Sequence, residues 1–127
     1  MKYLTTLQII AIHDQLIKRF GGSQGIREMS LLESAVHRPE ATFDGADLYK
    51  TIFDKSAVLF HSILKNHAFV DGNKRTAYSA SALFLKMNGY DLSNLHGASV
   101  EFSVRVETDN LKVEEISMWL KKNSKKI

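Results

Sequence analysis

The chain has 127 residues, 44% apolar and 24% charged, a globular composition whose length suits one domain (residues 1–127) around a single core. It has no cysteine, which excludes disulfides, cysteine zinc sites and thiol nucleophiles. No 18-residue apolar run occurs and Asp14 interrupts the N-terminal apolar stretch, so a soluble, unprocessed, cytoplasmic protein with no membrane contact is expected.

The first helix is expected over Thr6 to Arg19, followed by the stop signal Gly21-Gly22. A second, short helix is expected from Ser30, with Ser30 and Glu33 as a capping box and Pro39 preventing its continuation. From Pro39 to Tyr49 the periodicity breaks. Asp44-Gly45, flanked by Thr42, Phe43 and Ala46, is a turn dipeptide able to close a small hairpin, although local sequence alone favours a surface loop. A third helix, about Tyr49 to Asn66, places Phe53, Ser56, Phe60, Ile63 and Leu64 on one stripe, which His67 continues inward.

The segment from Asn73 to Asn88 is rich in alanine and large apolar residues and stops at Gly89, which predicts the buried central helix of a bundle. Val100, Phe102, Val104 and Val106 then alternate with polar residues at the period of a half-buried strand. A lone strand leaves backbone groups unpaired, so this segment conflicts with an otherwise helical chain. A last helix is expected over Val113 to Lys122. The net charge of +3 owes much to Lys121, Lys122, Lys125 and Lys126. No aromatic residues interleave with these lysines, so a solvated, frayed tail is favoured over a nucleic-acid contact.

Candidate chemistry gathers in ten residues, His67-Ala68-Phe69-Val70-Asp71-Gly72-Asn73-Lys74-Arg75-Thr76, which run from one helix end through a loop into the next helix start. Lys74 and Arg75 fall in a first helical turn, where the macrodipole disfavours cations by ~0.3–1 kcal/mol each. An anion reverses that sign, because free N–H groups, the close approach allowed by Gly72 and two cationic side chains would converge on phosphate oxygens. The plainer alternative is that Lys74 and Arg75 are solvated and that Asp71 or Asn73 caps the helix. Phe69 reads as a plug holding the loop to the core. At His67, a helix C-terminus favours the imidazolium and two nearby cations oppose it, a balance that can leave it titrating near neutrality as a general base requires. Asp71 beside a phosphate site suits Mg²⁺. His13, His37, His61 and His96 show no metal-ligand spacing and read as structural or exposed.

This segment resembles the signature of the Fic/Doc superfamily, H-x-F-x-[DE]-G-N-G-R-x-x-R in most Fic proteins and H-x-F-x-[DN]-[AG]-N-K-R-T in the death-on-curing (Doc) branch. All of the second form is present. Gly25-Ile26-Arg27, Leu32-Glu33-Ser34-Ala35, Arg38-Pro39 and Asn88-Gly89-Tyr90 also resemble the Doc pattern.

The resemblance implies an all-α fold of about six helices around a central buried helix, with a small flap, and hence a helix over residues 98–109. It implies the toxin of a toxin–antitoxin pair that uses ATP and Mg²⁺ to modify a hydroxyl of a translation protein. By the resemblance, His67 is the base, Phe69 the anchor and Asp71 the Mg²⁺ ligand. Gly72, Asn73, Lys74 and Arg75 hold the phosphates, and Thr42, Phe43, Asp44 and Gly45 form the flap that aligns the target as an added strand.

Lys74 replaces the second motif glycine and Tyr78 stands at the second arginine, both as in the Doc branch. That branch implies phosphorylation of a threonine on elongation factor Tu, with AMP transfer and a silent binding module as the alternatives. No inhibitory S/T-x-x-x-E/D-G/N helix occurs, which implies inhibition by a separate antitoxin, small and partly disordered, that also accounts for any indirect link to nucleic acid.

Overall fold

The computed structural model describes residues 1–93 and 97–127. Among them run six α-helices, α1 (Thr6–Phe20), α2 (Met29–His37), α3 (Ile52–Asn66), α4 (Asn73–Met87), α5 (Ala98–Thr108) and α6 (Val113–Lys122), with a 3-10 turn at Arg38–Glu40. Two short antiparallel pairs complete the fold, β1 (Thr42–Phe43) with β2 (Ala46–Asp47) and β3 (Tyr90–Leu92) with β4 (Ser124–Lys126). The fold is the expected all-α bundle with a small hairpin. None of the described helices is long and apolar enough to cross a membrane.

The most deeply buried helix is α3 rather than α4. From Phe53 to Leu64 every residue of α3 except Asp54 and His61 is buried, and α2, α4 and α6 pack around it. Thr51 caps its start by accepting a hydrogen bond from Asp54 N at 3.0 Å, so α3 begins at Ile52 and not at Tyr49. The small residues of α4 do what the sequence suggested, but against one neighbour above all. Ser56 Oγ donates to Ser81 O at 3.1 Å and Ser81 Oγ returns the bond to Ser56 O at 3.2 Å, a reciprocal pair that needs close backbones and no bulk between α3 and α4. Large buried side chains such as Phe60, Ile63 and Leu64 each contribute ~1.5–3 kcal/mol by leaving water.

Three local expectations are corrected. At α2 the N-cap is Glu28 rather than Ser30. Ser30 Oγ donates to Glu28 Oε1 at 3.0 Å, and the Ser30–Glu33 capping box does not form because the helix has already started at Met29.

At residues 42–47 the chain forms the hairpin and not a plain loop, with Thr42 opposite Asp47 and Phe43 opposite Ala46. Asp44 and Gly45 both take positive φ (52° and 79°), the backbone that a two-residue turn of the favoured hand requires. The hairpin is fastened from below by Lys55, fully buried on α3, whose Nζ donates to Pro39 O and meets Asp47 Oδ2, both at 3.1 Å.

The basic tail is not frayed. Ser124–Lys126 pairs with Tyr90–Leu92, and Ile127 N donates to Gly89 O at 2.9 Å.

Residues 98–108 are helical, as the resemblance implied and the alternation did not. On this helix Phe102 and Val106, four apart, face inward, while Val100 and Val104 are exposed. Phe102 stacks on Trp119 of α6 (3.9 Å between centroids, 7° between planes) and meets Phe60 edge-on. Packing against two aromatic rings outweighs the strand propensity of the valines. The same helix carries Glu107 to the start of α4, beside Lys74.

Candidate active site

α3 ends at Asn66, and His67 turns the chain out of the helix in the left-handed conformation (φ 47°, ψ 48°). The expected inward stripe therefore stops at Leu64, and the His67 side chain is 56% exposed. After it, Ala68 and Phe69 return to the core. Phe69 stacks on the buried ring of His13 from α1, 3.8 Å apart and 6° from parallel. His13 Nε2–H donates to Asp71 O at 2.7 Å, so one buried imidazole fixes both the anchor and the backbone of the acidic residue. His13 therefore has a structural role that holds the loop.

Asp71 is exposed. Its Oδ2 accepts from Ser23 N at 3.2 Å and its Oδ1 from Gly72 N at 2.9 Å, leaving lone pairs on both oxygens. Gly22 lies against it closely enough that a Cβ there would meet Asp71 Oδ2 at 2.7 Å. The cap of α4 is Gly72 (φ 77°), and no side chain caps the helix. Neither Asp71 nor Asn73 takes that role. Among the described residues, the backbone N–H groups of Asn73, Lys74 and Arg75 have no protein acceptor. Asn73 is buried and its amide is committed elsewhere: Oδ1 accepts from Phe69 N at 3.1 Å and Nδ2 donates to Phe69 O at 3.0 Å. Its side chain pins the loop, and its backbone N–H is left without a protein acceptor at the start of α4.

Lys74 and Arg75 diverge from this turn. Arg75 lies over the ring of Phe20 at 4.1 Å, a cation–π contact that holds the guanidinium at the C-terminal end of α1. Lys74 Nζ donates to Glu107 Oε1 at 2.7 Å, and Glu107 Oε2 lies 3.7 Å from His67 Nε2. The hydrogen bond from Lys74 holds the Glu107 carboxyl below its usual range. Partial burial works the other way, and the charges of Lys74, His67 and Lys65 add to the lowering. Sequence reasoning missed Glu107, and no spacing signal ties it to residues more than thirty positions earlier.

These groups line one cleft of about 340 Å³, whose walls include Ile17 and Phe20 of α1, His67 to Arg75 in part, and Glu107. The hairpin lies outside that lining, with Thr42, Phe43, Asp44 and Gly45 all exposed. Tyr78, at the position of the second motif arginine, also stays out of the lining. It is half-buried edge-on to Phe60 and Trp119, and burial raises its pKa.

Among the described residues no three His, Asp or Glu side chains group to hold a metal, so Asp71 would share an ion with at most one other such side chain. That fits Mg²⁺, which is held by one or two carboxylates with phosphate oxygens and water. Of the other histidines, His37 is exposed, His61 is half-buried with its pKa lowered by burial and by Arg38 and Lys65, and His96 lies outside the described residues.

A sequence model described as the Fic/DOC family matches residues 3–85. The chain is 50% identical over 74 residues to Toxin Doc of Mycolicibacterium smegmatis, covering 58% of this chain and 57% of that protein. It is 33% identical over 89 residues to Protein kinase doc of Escherichia phage P1, covering 70% of each. The matched region thus spans little more than half the length of the first relative.

Proposed function

The chain belongs to the Fic/DOC family, and on that premise we propose that it is a toxin that transfers the γ-phosphoryl group of ATP to a threonine hydroxyl of elongation factor Tu and so stops translation. The observation that carries this reading is the convergence on one cleft of His67, Asp71 and an uncapped α4 N-terminus bearing Lys74 and Arg75. The name of the phage relative, a protein kinase, favours phosphoryl transfer.

In this reading the N–H groups of Asn73, Lys74 and Arg75, approached across Gly72, bind phosphate oxygens, and the two side chains neutralise their charge. His67 takes the proton of the target hydroxyl as its oxygen bonds to the γ-phosphorus and the bond to ADP breaks. Asp71 is the residue that would hold Mg²⁺, and the ion when bound would supply charge neutralisation at the phosphates. Phe69 and the Asn73 amide keep the loop in register, and Lys74 exchanges Glu107 for phosphate. The hairpin, exposed and anchored by Lys55, offers an edge to which the target adds as a strand. A separate antitoxin, partly disordered until bound, covers the cleft and silences the toxin.

The test is intact-mass analysis of elongation factor Tu after incubation with the protein, ATP and Mg²⁺. The target gains one phosphate with the natural chain. With His67→Ala, transfer falls by ~10²–10⁴-fold because a general base supplies that much of the rate. A folded His67→Ala variant that still modifies the target removes His67 from the mechanism.

A further inference from the structure

We propose that Arg27 is the positioning residue that holds His67 at its working place. Residues 25–28 run beside the motif loop: Val70 N donates to Gly25 O at 3.1 Å, Arg27 N and Glu28 N donate to Ala68 O at 2.7 and 3.2 Å, and Ile26 bridges Phe69. The Arg27 side chain reaches back past this pairing to the end of α3. Its Nε donates to His67 O at 2.8 Å and its Nη2 to Asn66 O at 3.1 Å. These carbonyls belong to the negative end of the helix, where the last C=O groups have no partner within the helix. One planar guanidinium therefore caps two consecutive carbonyls, a fork that a lysine ammonium cannot reproduce.

The need for this clamp lies in the backbone. His67 is one of three non-glycine residues with positive φ among those described, the others being Asp44 and Asn110. Helices commonly end in this conformation on glycine, which lacks the Cβ that opposes it. A histidine can hold it when its surroundings fix the peptide planes on both sides, and here Arg27 fixes the carbonyls of Asn66 and His67 while Ala68 O is held by the 27–28 backbone. The direction of the imidazole follows from that backbone. With Arg27 removed, the two carbonyls turn to water and the His67 ring is no longer aimed beside Glu107.

The proposal rests on the reading of His67 as the base, and the experiment separates the two. Arg27→Gln and Arg27→Lys are compared with the natural chain and with His67→Ala in transfer to elongation factor Tu, and the His67 ring resonances are followed by NMR without substrate. Arg27→Gln is expected to lower kcat by about 10- to 100-fold with KM for ATP unchanged, the cost of misplacing a reacting group by about an ångström. Arg27→Lys should recover only part of the loss, and in both variants the His67 ring signals should shift or broaden while the remaining spectrum stays dispersed.

Unchanged His67 signals in Arg27→Gln overturn the proposal whatever the activity. Wild-type kcat in Arg27→Gln beside an inactive His67→Ala also overturns it and leaves the base reading standing. A loss of kcat no greater than the loss of folded protein assigns Arg27 a purely structural role and overturns it too.

Discussion

Glu107→Gln tests the electrostatics of the cleft. The Glu107 carboxylate accepts from Lys74 at 2.7 Å and lies in the lining of the cleft, so it holds the cation that a phosphate would otherwise meet. Gln keeps the shape and an oxygen for Lys74 but removes the negative charge. Two like charges ~6 Å apart at an effective dielectric of ~40–80, suited to a group this exposed, repel by about 0.7–1.4 kcal/mol, or ~3–10-fold in affinity. Calorimetric titration with a non-hydrolysable ATP analogue should therefore show binding ~3–10-fold tighter in Glu107→Gln, with the difference shrinking as salt is added. Equal or weaker binding by the variant at low salt would refute the view that Glu107 competes with the phosphates.

Acid titration tests the same pair from the other side. The folded-state pKa of Glu107 is lowered by Lys74, so its contribution to stability is present above the unfolded-state value and is lost as pH falls through the lowered folded value. Glu107→Gln should lack that increment of acid sensitivity, and identical acid-unfolding profiles for the two proteins would contradict the pairing. Phe69→Ala removes a buried ring stacked on His13 and should cost ~3–5 kcal/mol in urea unfolding, so an unchanged midpoint would show that the ring is no anchor. Gly22→Ala places a Cβ 2.7 Å from Asp71 Oδ2 at a residue whose φ is 118°. It should raise the Mg²⁺ concentration needed for half-maximal transfer, and an unaltered requirement would separate Gly22 from the Asp71 site.

Sequence patterns reached the helices that carry their own punctuation. Gly21-Gly22 after α1 and Gly89 after α4 are local signals, and the Asp44-Gly45 turn was readable as a possible hairpin. What tipped that segment from loop to hairpin is the buried Lys55 beneath Asp47, a tertiary contact with no trace in the local pattern.

The 98–108 helix shows the same limit. Phe102 and Val106 satisfy both a period of two and a spacing of four, and only the Trp119 and Phe60 rings decide between them. The uncapped turn with Lys74 and Arg75 was legible because cations at a helix start oppose the dipole and call for an anion. The outward turn of His67 was not legible, because its left-handed backbone is held by Arg27 across forty residues. Glu107 escaped notice for the same reason, and His13, read as structural or exposed, showed no link to Phe69 or Asp71, since each meets the loop only through the folded chain.

The most direct test of the proposed chemistry follows the phosphorus. The protein, Mg²⁺ and elongation factor Tu are incubated in parallel with ATP labelled at the γ-phosphate and ATP labelled at the α-phosphate, and label on the target is measured with the nucleotide released. A γ-phosphate bound at the α4 N-terminus beside Lys74 and Arg75, with Tyr78 supplying no guanidinium for the far end of a triphosphate, predicts γ-label on the target and release of ADP. α-Label on the target with release of pyrophosphate would show AMP transfer and contradict the kinase account.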